Sequence, residues 1–60
     1  MASYTYTVEF NHAETGLAEM SGGVFNSLTK ARNWADWLRT KSYAVNVRIM
    51  RGGPGGEIVS

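Results

Sequence analysis

Ser27–Lys41, which reads SLTKARNWADWLRTK, is the one stretch of this 60-residue chain whose apolar residues recur with the period of an α-helix. At about 100° per residue, one arc of roughly 60° on the helix surface collects the small and apolar side chains. These are Leu28, Ala31, Ala35 and Leu38. The two central alanines predict that the helix lies close to a sheet whose large side chains fill the space. Asn26 or Ser27 is the expected N-cap.

Two stretches with a period of two residues lie on either side of this helix. Residues 3–10 alternate aromatic and β-branched types with polar ones, which predicts a half-buried strand. Residues 43–50 predict another strand, whose inward side chains we expect to be Tyr43, Val45, Val47 and Ile49.

Two shorter segments complete the pattern. Residues 11–16 are typical of a turn, and a strand over about 17–21 follows, with either Ala18 and Met20 or Leu17 and Glu19 facing inward. Gly22-Gly23 is expected to end it. At the other terminus, the loop 52–56 returns residues 57–59 as a short edge strand, or the end of the chain frays.

The element order predicts an α+β fold, a single domain over residues 1–60. It is a β-β-α-β(-β) arrangement with one helix packed on one face of a small antiparallel or mixed sheet. A right-handed crossover gives the strand order 2-1-3(-4). The opposite face is expected to lie open, and its residues are Thr5, Thr7, Asn46, Arg48 and Met50.

Composition excludes several kinds of chemistry. The chain has no cysteine, so thiol catalysis and thiolate metal sites are excluded. The first residues do not show the basic and then apolar pattern of a signal peptide, and no apolar segment is long enough to span a membrane. We therefore expect no membrane contact and a cytoplasmic location. A domain this small buries little surface, and a homodimer is one way to bury more.

No set of residues indicates an enzyme, a cofactor or a metal. His12 is the only histidine and is expected to be a solvated loop residue, with Glu9, Glu14 and Glu19 exposed nearby. The glycine-rich loop 52–56 lacks the Lys-Ser/Thr ending and the following helix of a phosphate-binding loop.

One flank of the helix is the candidate interface. Lys30, Trp34, Trp37 and Lys41 follow the spacing i, i+4, i+7, i+11, so they lie along one edge. Trp34 is expected to cover the sheet edge as part of the core, whereas Trp37 points furthest from it. The basic residues Arg48 and Arg51 are candidates to extend this surface.

The layout resembles that of several very small phage-encoded proteins, including some anti-CRISPR inhibitors. A hairpin precedes the helix that opens with SLTKA at residues 27–31, and a strand and a Gly-rich turn into a short last strand follow. The resemblance implies a protein that docks on a larger machine and blocks it without catalysis.

These observations favour a non-enzymatic protein-binding module, with a protein as its partner and the edge carrying Trp37 as its contact surface. The alternative is a small nucleic-acid-binding protein in which Trp37 stacks on a base and the lysines and arginines contact phosphates. Self-association through the open face or a sheet edge is the third hypothesis.

Overall fold

The computed structural model describes residues 4–53 and 55–60. Its elements in chain order are β1 (Tyr6–His12), β2 (Ala18–Phe25), α1 (Leu28–Leu38), β3 (Ala44–Arg51) and β4 (Glu57–Ile58). All strand pairs are antiparallel, and the order across the sheet is β2-β1-β3-β4. The helix packs on one face. The predicted α+β class, element order and strand order are therefore confirmed.

Several bounds differ from the predicted ones. Strand β2 continues through Gly22-Gly23 to Phe25, because these glycines form a bulge opposite β1 instead of a stop. The helix ends at Leu38, and a tighter turn follows in which the Lys41 amide donates to the Leu38 carbonyl at 2.9 Å. Strand β1 continues to His12. The predicted start of that strand at residue 3, and Pro54 in the glycine-rich loop, lie outside the described residues.

The helix begins at the N-cap Ser27, whose side chain accepts a hydrogen bond from the Lys30 amide at 3.5 Å. Its inward arc is the predicted one: Ala31, Ala35 and Leu38 are fully buried, and Leu28 is half-buried against the same cluster. On the sheet side the core consists of Val8, Phe10, Ala44 and Ile49. Fully burying a valine, leucine, isoleucine or phenylalanine side chain stabilises a fold by about 1.5–3 kcal/mol.

Strand β3 does not keep a single alternation along its length. Glu9 pairs with Arg48 but Asn11 pairs with Val45, so β3 contains one extra residue between these pairs. Asn46 lies there with a φ of 54°, the left-handed region that asparagine tolerates better than most residues. A bulge of this kind reverses the faces of the residues before it. Consequently Ala44 is buried, and Val45 is 47% exposed.

The prediction that Val45 faces the helix is therefore wrong, while Val47 and Ile49 do face it. The sequence reasoning assumed an unbroken strand. Beyond the bulge the alternation matches the prediction, because Val8 pairs with Ile49 and both are fully buried. Tyr43 lies just before β3, and its ring packs on the core residue Phe10 with centroids 5.8 Å apart.

The sheet face opposite the helix is less open than predicted. Thr7 and Met50 are buried, because they lie side by side in a cross-strand row with Val24 on one side and Ile58 on the other. Glu9 is not an exposed strand residue either. In the next row its side chain is only 14% exposed and lies 3.7 Å from the Arg48 guanidinium.

The bulge at Asn46 generates a stability prediction. Replacing Asn46→Val should lower the free energy of unfolding by about 1–3 kcal/mol, because a β-branched residue is strained at positive φ. Asn46→Gly should stay within about 1 kcal/mol of the parent, since glycine adopts this φ freely. Urea unfolding followed by circular dichroism measures both. Equal stability of the two variants would contradict the left-handed geometry at this position.

Candidate functional site

Trp34 links α1 to β2, one of the two edge strands of the sheet. Its Nε1 donates a hydrogen bond to Ser21 Oγ at 3.0 Å, and its ring lies 6.1 Å from that of Phe25 between centroids. The indole also rests on Gly22, where a Cβ atom would come within 2.7 Å of the ring. Trp34 is half-buried, so the expectation that it covers the sheet edge as part of the core is met.

Trp37 lies one helical turn further and packs on Trp34, with ring centroids 4.8 Å apart. The Lys41 ammonium sits 4.7 Å from the centroid of its ring. A cation–π contact at an exposed site contributes about 0.5–1 kcal/mol. Trp37 is nevertheless 44% exposed. We call Trp34, Trp37 and Lys41 the tryptophan ledge.

The opposite flank of the helix shows why the ledge lies over β2. There Arg39 donates to the backbone carbonyl of Val47 on β3 at 3.2 Å, and it pairs with Asp36 at 3.1 Å. Since the two flanks of a helix face opposite ways across the sheet, the tryptophan flank faces β2.

The candidate interface residues do not form one surface. Lys30 is exposed on the first turn of α1, on the same flank as the ledge. Arg48 lies on the opposite face of the sheet, where its Nη1 donates to Asn11 Oδ1 at 2.7 Å. Arg51 lies at the end of β3, with its guanidinium 4.5 Å from the Tyr4 ring and hydrogen-bonded to Glu57. This contact with Glu57 raises the pKa of Arg51.

Sequence reasoning predicted a strand over about 17–21 but missed its continuation through Gly22 to Phe25 beneath the ledge. Gly22-Gly23 was interpreted as the end of β2, whereas both glycines have positive φ and form the bulge that seats Trp34. The available signal was the combination of a Gly-Gly pair with a tryptophan on the facing helix flank. A glycine in a strand often marks a place where another group approaches closely.

The remaining polar residues form no second centre within residues 4–53 and 55–60. His12 stacks against Tyr43 with centroids 6.2 Å apart and accepts a hydrogen bond from the Glu14 amide at 3.3 Å. Across those ranges no group of three or more His, Asp or Glu residues is placed to hold a metal ion, and no pocket is present. The helix is too short and too polar to cross a membrane.

No family model, no curated protein and no solved structure matches this chain. Its function is therefore argued from the surface itself.

The seat of Trp34 generates a prediction with a matched control. Gly22→Ala and Gly23→Ala both place alanine at positive φ, at a cost of about 1–2 kcal/mol each. Only at Gly22 does the new Cβ meet the indole, while at Gly23 nothing lies within 4 Å. Gly22→Ala should therefore lose roughly a further 1–3 kcal/mol of unfolding free energy. It should unfold at a lower urea concentration than Gly23→Ala, and its tryptophan fluorescence should shift. Equal losses in the two variants would show that Trp34 does not rest on Gly22.

Proposed function

We propose that this chain is a non-enzymatic protein-binding module whose contact surface is the tryptophan ledge. One observation carries the proposal: Trp37 is 44% exposed although its ring packs on Trp34 and contacts the Lys41 ammonium. Tryptophan is among the residues that dominate protein interfaces. A side chain that is already ordered loses less conformational entropy on binding, which favours affinity.

The chemistry of the ledge suggests the chemistry of the partner. An indole needs an apolar pocket, and the ammonium groups of Lys41 and Lys30 on the same flank favour carboxylates at its rim. The matching surface is therefore an apolar depression edged by Asp or Glu. The resemblance to small phage-encoded inhibitors supports a mode of action in which the chain occupies such a surface on a larger protein and blocks it.

Nucleic-acid binding is the rival proposal, and the arrangement of the basic residues gives it less support. It needs Lys30, Lys41 and the two arginines to reach one line of phosphates. Arg48 instead lies against Glu9 on the far side of the sheet, and Arg51 is paired with Glu57. We therefore treat nucleic-acid binding as an outcome of the experiment below.

Removing the exposed indole should abolish capture of the partner. The tagged chain, cross-linked in lysate of the cells that express it, is compared with Trp37→Ala by quantitative mass spectrometry. Loss of an interface tryptophan costs about 2 kcal/mol or more, so recovery of the partner should fall about thirtyfold. Lys41→Ala should weaken capture less, since an exposed cation–π contact is small.

Val45→Ala is the matched control, because Val45 is a similarly exposed apolar residue on a strand of the sheet, remote from the ledge. It should leave capture unchanged. The proposal is wrong if Trp37→Ala captures the partner as well as the parent chain does. Recovery of RNA or DNA that is released steeply as salt is raised would favour the nucleic-acid rival.

A further inference from the structure

Strand β2 is an unpaired edge that lies directly beneath the ledge. It is eight residues long and outermost in the sheet, and within the described ranges no backbone hydrogen bond joins its outer side to another segment. Edge strands are usually protected by charged residues, proline, β-bulges or extreme shortness. On β2 the bulge at Gly22-Gly23 protects only the second half, and the stretch before it carries a single charged residue, Glu19.

The hairpin geometry shows which backbone groups face outward. The His12 amide donates to the Leu17 carbonyl at 2.9 Å, which makes these two residues a hydrogen-bonded pair. Hydrogen-bonded and non-bonded pairs alternate along an antiparallel ladder. Leu17, Glu19 and Ser21 therefore direct their backbone groups toward β1, and Ala18 and Met20 direct theirs away from the sheet.

We infer that the partner fitting this edge is a second copy of the chain, paired antiparallel through β2. The two four-stranded sheets then join into one continuous sheet. The inference rests on the proposed function for the role of the ledge as a contact surface, and it replaces the larger protein proposed there with a second copy of the chain. A strand that pairs with its own copy about a two-fold axis is self-complementary, as a closed dimer requires.

Strand length and Glu19 together select the register of this pairing. Three registers use the outward groups of Ala18 and Met20. If Ala18 pairs with Ala18, Met20 stands opposite Gly16 in the turn before β2, so this ladder is the shortest. If Ala18 pairs with Met20 of the second copy, the two Glu19 carboxylates stand directly opposite, which is destabilising. If Met20 pairs with Met20, Glu19 stands opposite Ser21 instead; this register is favoured, and in it the two Met20 residues exchange both backbone hydrogen bonds.

The ledge fills the space that this dimer creates. A two-fold axis perpendicular to the sheet keeps both helices on one face, with β1 and β2 of each copy between them. Each helix packs over β1 and β3, so four strand spacings of about 4.8 Å separate the two helices, roughly 19 Å, further than the 8–10 Å of direct helix packing. Trp34 and Trp37 from each copy lie in that gap. On the other face the Met20 side chains, each 44% exposed, meet at the axis.

The small core of the described fold favours the same partner. Few of its large apolar side chains are fully buried, and no cysteine is present to form a disulfide. A dimer through β2 covers Met20 and Trp37, two of the larger exposed apolar side chains of the described ranges. The interface is small, and interfaces below about 1,200 Å² are weak.

Sedimentation equilibrium of the full chain tests the inference. Because the interface is small, the series should run from about 5 µM to 1 mM. The mass should rise from 6.6 kDa toward twice that value. Met20→Lys should remain monomeric, because it places like charges directly opposite. Val24→Lys is the matched control: it adds the same charge to the same strand at an exposed site beyond the glycine bulge, and the dimer should persist.

A charge swap tests the register itself. Met20→Glu alone should also be monomeric, but an equimolar mixture of Met20→Lys and Met20→Glu should recover the dimer mass, because opposite charges then face each other. Trp37→Ala should weaken the dimer at least tenfold. Circular dichroism of each variant verifies the fold.

Two results overturn the inference: a wild-type chain that stays monomeric at the highest concentration, or a dimer that survives Met20→Lys. If that monomer still captures another protein through Trp37, the proposed function stands and only the second copy is removed. If Trp37→Ala changes neither capture nor dimerisation, the proposed function is wrong as well.

Discussion

The close approach of helix and sheet through Ala31 and Ala35 determines most of the surface. Both alanines are fully buried, and the space beneath the helix is filled from the sheet by Val8 and Ile49. Large side chains on this helix therefore fit at its flanks and not at its centre. Trp34 extends sideways over β2, and it fits there because Gly22 has no side chain in its path. Trp37 then packs on Trp34 and remains exposed.

The two edges of the sheet differ in a way that limits assembly. Strand β4 has only two residues and is tied to β3 by the pair of Arg51 with Glu57, so little of it is free to extend the sheet. On β2 the bulge at Gly22-Gly23 interrupts the regular ladder, which leaves the stretch before it as the pairing edge. One usable edge per copy favours closure into a dimer, whereas two would allow an open fibre.

Local periodicity and chain handedness predicted the architecture but not every side-chain direction. The 3.6-residue period correctly identified the buried arc around Ala31, and the exposure of Trp37 followed from its angle on the same helix. Val45 points to the unexpected face of the sheet because of a bulge in β3. Pairing with β1 sets the position of that bulge, and the alternation within β3 alone does not reveal it. The sequence pattern groups Arg48 and Arg51 with the lysines because it does not reveal their acidic partners. Arg48 pairs with Glu9, which is far away in the sequence, and Arg51 pairs with Glu57 across a turn.

The face opposite the helix carries apolar residues too, but covering it is more costly than covering the ledge. The Glu9–Arg48 pair lies in its middle, and the buried Glu9 Oε2 and Thr7 Oγ1 have no hydrogen-bond partner within the described ranges. A partner placed over this face would remove the remaining solvent from both charges, and desolvating an ion pair often outweighs its attraction. The ledge imposes a smaller penalty, because the indole of Trp37 is apolar apart from its N–H and the Lys41 ammonium can stay at the rim in water. Among these two surfaces, desolvation therefore favours association on the side where β2 and the helix meet.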